Sequence, residues 1–273
     1  MGKPSTTVHR SLREAADTSK VVEAALADFE RRHGGDSLPP LVVVIAALDE
    51  EQALPSLLDE IPSVISGVPA RVLVIDDGSS DATAAVAERG GARVCRFGRN
   101  CGHGVALRAG YRIAREGGAR YIATLDADGQ WDPADLPPMV ELLTADKADF
   151  VIGSRQLGRT ENTDSVRNLG VRFFSWFISS LTGIRVTDSS SGLRAMRVEL
   201  TAAVRQTQPQ YQTSELLIGA IFQGFRIAEV PTVMRVRRAG TSKKGHNVLY
   251  GLRYARVIAR TYVRERRHRR RPA

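Results

Sequence analysis

The sequence predicts an α/β domain, built on an open, mostly parallel sheet with helices on both faces. Three observations lead there. Short β-branched runs such as Leu41–Ala46 and Arg71–Ile75 have the near-continuous apolar character of strands covered on both sides. Segments with helical spacing alternate with these runs, as in a doubly covered parallel sheet. Motifs rich in carboxylates or glycine follow the runs directly, at the strand ends where such sheets bind ligands.

Taken in chain order, residues 11–33 read as an amphipathic helix, with Leu12, Ala15, Val22, Ala25, Leu26 and Phe29 at helical spacing and Gly34-Gly35 ending it. Pro39-Pro40 leads into the first strand, Leu41–Ala46. Helices are expected over 50–65 and 80–89, on either side of the second strand, Arg71–Ile75. Ala92–Phe97 is a third strand, Val105–Glu116 a helix, and Tyr121–Leu125 a fourth strand. Pro133–Leu143 is a helix and Phe150–Ile152 a fifth strand. Val171–Ile184 is an aromatic-rich amphipathic segment, and residues 246–271 form a helix ending in a run of arginines. The expected organisation is a helical appendage over 1–38, a main domain over 39–234 and a basic segment over 235–273.

The chain has 273 residues, 42% hydrophobic and 25% charged, which suits one large domain with a sizeable core. The longest purely apolar stretch, Leu41–Leu48, is too short to cross a bilayer. Residues 1–38 are polar and charged, unlike a secretory leader. Cys95 and Cys101 have neither metal-ligand nor redox spacing and read as reduced cytoplasmic thiols. The net charge of +9 is uneven: residues 235–273 hold fourteen Lys or Arg and one acid, while the rest has 25 basic and 29 acidic residues. A basic tail on a slightly acidic body argues against a nucleic-acid partner. It suits an anionic membrane surface, where each nearby basic residue gains about 1 kcal/mol. The Val171–Ile184 segment reads equally as an interfacial helix or as a core helix.

The chemistry concentrates at three strand ends. Tyr121–Leu125 runs into Asp126-Ala127-Asp128-Gly129-Gln130. Two carboxylates two residues apart, with a glycine that lets the strand break, can converge on one hard cation, Mg²⁺ or Mn²⁺. Such an ion can bridge a diphosphate and neutralise the charge that grows as it departs. Val74-Ile75 runs into Asp76-Asp77-Gly78-Ser79-Ser80-Asp81, where Asp76 and Asp77 can accept from ribose or base while Ser80 or Asp81 caps the next helix. Arg99–Gly110 supplies small residues before and along a helix whose N-terminus favours anions; His103 reads there as a loop residue.

With these motifs the chain resembles the inverting family 2 glycosyltransferases of GT-A fold, a Rossmann-like open mixed sheet, and is most similar to the polyprenyl-phosphate sugar synthases. The resemblance spans roughly residues 41–260. It is carried in order by Ala46–Glu51, Val74–Ser80, Asn100–Gly110, Leu125–Pro133, Val151–Arg155, Thr187–Arg194, Glu229–Pro231 and Arg237–Lys243. It implies that Glu50, Ile75 and Asp77 contact the base and ribose, with Ala46, Leu48, Asp76 and Ala127 beside them. Asp126, Asp128 and Gln130 would hold the metal and its diphosphate. Arg155, Arg237 and Lys243 would bind phosphates, and Arg155 with Arg167 would meet the acceptor phosphate. Asp128, Arg155 and Asp188 are the catalytic candidates. Ala46, Leu48 and Asp49 stand where the family usually has Pro, Tyr and Asn, which leaves the donor base open between guanosine and uridine.

The expected reaction is inverting transfer of a sugar, mannose first, from a nucleoside diphosphate to a polyprenyl phosphate. A lipid monophosphate is largely dianionic at neutral pH and needs no general base, only cations such as Arg155, Arg167, Arg194, Arg237, Arg238, Lys243 and Lys244 to position it. The alternative is a soluble transferase acting on a hydroxyl, with Asp188 or Glu215 as base. The expected location is cytoplasmic, peripheral on the cytoplasmic face of a membrane, alone or with a membrane-protein partner.

Overall fold

The computed structural model describes residues 6–34, 36–161, 164–208, 210–237 and 247–269. Helix α1 (Thr6–His33) precedes β1 (Leu41–Ala47), α2 (Leu54–Asp59), β2 (Val64–Ile65), β3 (Val68–Asp76), α3 (Thr83–Arg89) and β4 (Arg93–Arg96). Then come α4 (His103–Glu116), β5 (Tyr121–Asp126), a 3₁₀ turn (Pro133–Asp135), α5 (Leu136–Thr144), β6 (Phe150–Thr160) and α6 (Ser165–Thr182). The chain continues with β7 (Arg194–Arg197), α7 (Val198–Ala203), α8 (Gln212–Phe222), β8 (Ile227–Met234) and α9 (Asn247–Arg269).

The strands form one mixed sheet in the order β2-β3-β1-β5-β7-β6-β8, with β4 also paired to β3. β1 runs parallel to β3 and β5, whereas β7 is antiparallel to both β5 and β6. All seven residues of β1 are buried because the sheet is covered on both faces. Val42, Val44 and Ala46 join a core with Phe29 of α1, Val105 of α4 and Leu217 of α8. Leu41, Val43, Ile45 and Ala47 join another with Leu54 of α2 and Met139 of α5. Helix α4 lies close on the sheet: a Cβ at Gly110 would come within 2.4 Å of Val44. The periodicity at residues 11–33 is that of α1, which buries Ala25 and Phe29 and links Asp17 to Arg99 at 2.7 Å.

Three expectations differ from the structure. The helix expected over 50–65 shrinks to α2, because Pro55 fixes its first turn and Pro62 follows its end; residues 64–65 pair with β3 instead. The strand expected at Phe150–Ile152 continues to Thr160, its polar outer half paired with β8 across a register shift between Ser154 and Arg159. Strands β7 and β8 and helix α8 had no counterpart in the sequence reading. β7 is bounded by Arg194 and Arg197, whose guanidinium groups lie over Phe150 (5.7 Å) and Tyr121 (5.9 Å) rather than in solvent. β8 contains Pro231, which argues against a central strand; it is tolerated because β8 ends the sheet.

Candidate functional site

The carboxyl ends of the parallel strands meet side by side, with Ala46 of β1 opposite both Ile75 of β3 and Asp126 of β5. The loop after β1 is stitched to the loop after β3. Asp49 takes a left-handed conformation (φ 51°) and accepts from Ser80 N at 2.8 Å, while its own N–H donates to Ser79 Oγ at 2.9 Å. Glu50 N donates to Thr83 Oγ1 at 2.8 Å, and Glu51 accepts from Ala82 N at 2.9 Å. The Asn expected by resemblance is therefore replaced by an Asp whose acceptor oxygen joins the loops. Asp81 accepts from Thr83 N at 2.9 Å just ahead of α3, whose N-cap position is Ala82 rather than the expected Ser80 or Asp81.

The carboxylates after β3 do structural work in this conformation. Asp76 is fully buried, accepts from Ser79 N at 2.8 Å and lies 3.2 Å from the Arg96 guanidinium. Asp77 accepts from Cys101 N (2.7 Å) and Gly102 N (2.9 Å), which fixes the turn into α4. Burial pushes the Asp77 carboxyl above the usual carboxylate range. The Ile75 side chain is buried toward α4, and that of Ala127 lies in the core on the other side of the sheet. Neither side chain is open to a ligand at the strand ends.

The carboxylates after β5 sit on the rim. Asp126 Oδ2 accepts from the buried Trp131 indole at 3.1 Å, and Oδ1 is 4.0 Å from His103 Nε2. Gly192 presses against the same carboxylate: a Cβ there would stand 2.2 Å from Asp126 Oδ2. Gly129 breaks the strand at φ 69°. Beyond it, Asp128 Oδ1 accepts from Gln130 N at 3.1 Å and Oδ2 lies 3.5 Å from Arg237 Nη2. The same Arg237 nitrogen donates to Glu50 Oε1 at 2.6 Å. Glu50, Asp128 and Arg237, up to 187 residues apart in sequence, thus meet at one point. Gln130 turns its amide nitrogen to Arg235 O at 3.3 Å. Among the described residues no three or more His, Cys, Asp or Glu gather as a metal cluster. Mg²⁺-type ions need only one or two carboxylates beside substrate phosphates, and the oxygens of Asp126 and Asp128 suit that role.

The residues expected to carry phosphate chemistry are placed differently. Arg155 and Asp188 are both buried and grip each other, Nε–Oδ2 at 2.6 Å and Nη2–Oδ1 at 3.1 Å. Arg155 also donates to Ser190 Oγ and lies over the Trp131 ring at 5.1 Å. Arg194 is buried and donates to the carbonyls of Ser191, Thr213 and Ser189. Glu215 is fully buried and accepts from Thr207 N, Gln208 N and Arg264. None of these four presents an open cation or base in this conformation, because burial demanded that each be satisfied inside the protein. Lys243, Arg238 and Lys244, and the side chain of Arg167, lie outside the described residues. Leu48 is half-buried in the loop after β1.

A model of the family described as Glycosyl transferase family 2 matches residues 42–205. The chain belongs to glycosyl transferase family 2. This family 2 transferase is 34% identical over 203 residues to a dolichyl-phosphate hexose transferase of Haloferax volcanii, covering 74% of this chain and 86% of that protein. It is 28% identical over 220 residues to an undecaprenyl-phosphate mannosyltransferase of Micrococcus luteus, covering 77% and 89%. In structure it is similar to glucosyl-3-phosphoglycerate synthase of Mycobacterium tuberculosis, solved with Mn²⁺, UDP and product. The TM-score is 0.63 at 24% identity over 88% of this chain and 83% of that one. The expected GT-A fold is therefore the fold of this transferase. The sequence reading passed over two residues that shape its rim. Trp131 was visible as the residue after Gln130, and Gly192 as the small residue after three serines, but only the fold brings both onto Asp126.

Proposed function

We propose that this transferase moves a sugar, mannose in the first instance, from a nucleoside diphosphate to a polyprenyl phosphate with inversion at the anomeric carbon. The observation that carries the reading is the meeting of Glu50, Asp128 and Arg237, with Asp128 two residues beyond the strand-end Asp126. It joins the nucleotide loop, the carboxylate pair and the basic C-terminal segment in one place. The named acceptors of the relatives, dolichyl and undecaprenyl phosphates, support a lipid phosphate here. GDP-mannose is the expected donor and a UDP-sugar the alternative, since the departure at Ala46, Leu48 and Asp49 removes the family's aromatic residue.

Asp126 and Asp128 would hold one Mg²⁺ or Mn²⁺, which when bound supplies positive charge to a departing diphosphate. Trp131 orients Asp126, and Arg237 holds Glu50 and Asp128 in register while adding a cation at the same rim. The loops after β1 and β3 and the turn held by Asp77 form the floor for the nucleoside. A hydroxyl acceptor would need a base, and both carboxylates considered for that role, Asp188 and Glu215, are buried and engaged. This favours an acceptor that brings its own charge.

No helix among the described residues is long and apolar enough to cross a membrane. We infer peripheral attachment on the cytoplasmic face through α6 and α9. Val166, Leu169, Phe173 and Trp176 line one face of α6, each more than half exposed. Phe174 on its other side packs edge-on against Tyr254 of α9 at 4.7 Å, next to exposed Arg253 and Arg256. An apolar aromatic stripe beside arginines suits an anionic bilayer interface.

The test is transfer from radiolabelled GDP-mannose, and then UDP-sugars, to a short polyprenyl phosphate with Mn²⁺ or Mg²⁺. A lipid-linked sugar is the expected product. No such product with any of these donors overturns the proposal.

A further inference from the structure

A small cavity lies behind Asp126, lined among others by His103, Tyr111, Gly192, Arg194 and Gln212, with about 10 Å³ of room, enough for one water-sized group. Gln212, the first residue of α8, is 3% exposed, and its side-chain nitrogen finds no hydrogen-bond partner among the described residues. A buried donor left this way is costly and calls for a ligand or a water. Its position is tightly set. Tyr211 just before it is left-handed (φ 62°), a strained conformation for a tyrosine, with its carbonyl taken by Ser214 Oγ at 3.1 Å. Arg194 pins the carbonyl of Thr213 just after it at 2.9 Å.

The chemistry of the walls narrows the occupant. Arg194 is the only arginine or lysine among the described lining residues, and each of its three nitrogens already donates to a backbone carbonyl. Burial raises the Tyr111 phenol to about 12, so it stays neutral. A phosphate is too large for the space and meets the Asp126 carboxylate. A hydroxyl fits both sides: it accepts from an amide N–H and donates to a carboxylate.

Building on the donor reading above, we propose that Gln212 is a sugar-reading residue: its amide receives one hydroxyl of the donor sugar beside Asp126 and so helps set which sugar is transferred.

The test separates the sugar from the nucleotide. Calorimetry in Mn²⁺ compares GDP with GDP-mannose and UDP with UDP-glucose, on the wild type and on Gln212→Met, which keeps the volume and removes the amide. In the wild type one nucleotide sugar is expected to bind more tightly than its nucleotide. In Gln212→Met that increment should shrink by roughly tenfold while binding of the bare nucleotide is unchanged. If Gln212→Met does not fold, Gln212→Leu, which also removes the amide without adding charge, serves with the same expectation. An unchanged increment, or a variant that alters only the melting temperature, would mean that the cavity holds a structural water and overturn the proposal. Failure of the wild type to bind either nucleotide would instead overturn the transferase reading on which it rests.

Discussion

Arg155 and Asp188 hold each other in a buried, two-point ion pair, 2.6 and 3.1 Å, on the path from the Ser189–Ser191 loop to the rim at Asp126. Arg155 continues the path by lying over Trp131, whose indole N–H fixes Asp126. In this conformation the two charges are taken up by each other, and the pair supports the Trp131 side of the rim. Breaking a buried pair strands a charge and costs about 3–5 kcal/mol. Asp188→Asn should lower unfolding free energy in urea by an amount of that order, and Arg155→Met with Asp188→Leu should lose less than either single change. Full stability with abolished turnover in Asp188→Asn would restore Asp188 as a catalytic base.

The parts legible in the sequence were those whose physics is local. An apolar run ending in Asp126-Ala127-Asp128-Gly129 states its own strand and break, and the structure places both. Arg155 and Arg194 read as open cations because an arginine in a sequence reads as solvated, whereas here burial pairs Arg155 with Asp188 and Arg194 with backbone carbonyls. β7 was hidden for the same reason, and β8 by a proline that only its edge position permits. The Glu50–Arg237 contact has no local signature, since only the folded chain brings the two together.

Asp128 is the rim carboxylate whose loss removes charge without emptying a core. Asp128→Ala should cut kcat/KM by at least about a hundredfold, the scale of losing one preorganised electrostatic group. Its melting temperature should stay near that of the wild type. Chelation of divalent ions should reproduce the loss in the wild type and add little in the variant. Turnover of Asp128→Ala at the wild-type rate would remove the metal assignment.

Gly192 is required by space. A Cβ there would fall 2.2–2.6 Å from all three atoms of the Asp126 carboxyl group, and Gly192 O already accepts from Thr124 Oγ1 at 2.9 Å. Gly192→Ala must displace Asp126 or the loop. Its metal affinity, read by Mn²⁺ titration, should fall about tenfold or more, because a ligand is moved from its place. Wild-type Mn²⁺ affinity in this variant would show that Asp126 is not a ligand.

The start of β6 carries an acid-sensitive tie. Asp149 accepts from Arg226 N and Nε, both at 2.9 Å, and the Arg226 guanidinium holds its carboxyl well below the usual carboxylate range. A depressed folded-state pKa means the unfolded chain binds the proton more readily. The contribution is therefore complete above the ordinary aspartate pKa, about 3.9, and is lost as pH falls below it. Unfolding free energy should drop more steeply from pH 5 to pH 2 in the wild type than in Asp149→Asn. Parallel curves for the two proteins would contradict this.

The α6 stripe gives the last prediction its sign. Phe173 and Trp176 are each more than half exposed, with Phe173 resting on Phe174 from outside at 5.2 Å, so replacing them opens little of the core. Transfer of even part of such side chains into a bilayer interface is worth over 1 kcal/mol each. Trp176→Glu should therefore lower co-sedimentation with anionic vesicles by about tenfold, and Phe173→Glu added to it should lower it further. Salt should weaken the wild type's attachment through its arginines, since exposed charges are screened over roughly 10 Å at 0.1 M, yet leave part of it standing on the apolar stripe. In Trp176→Glu/Phe173→Glu the remaining attachment should become almost wholly salt-sensitive. Transfer to a water-soluble short polyprenyl phosphate, which needs no membrane attachment, should be retained in both variants. Equal vesicle binding by all three proteins would mean that α6 meets something other than lipid.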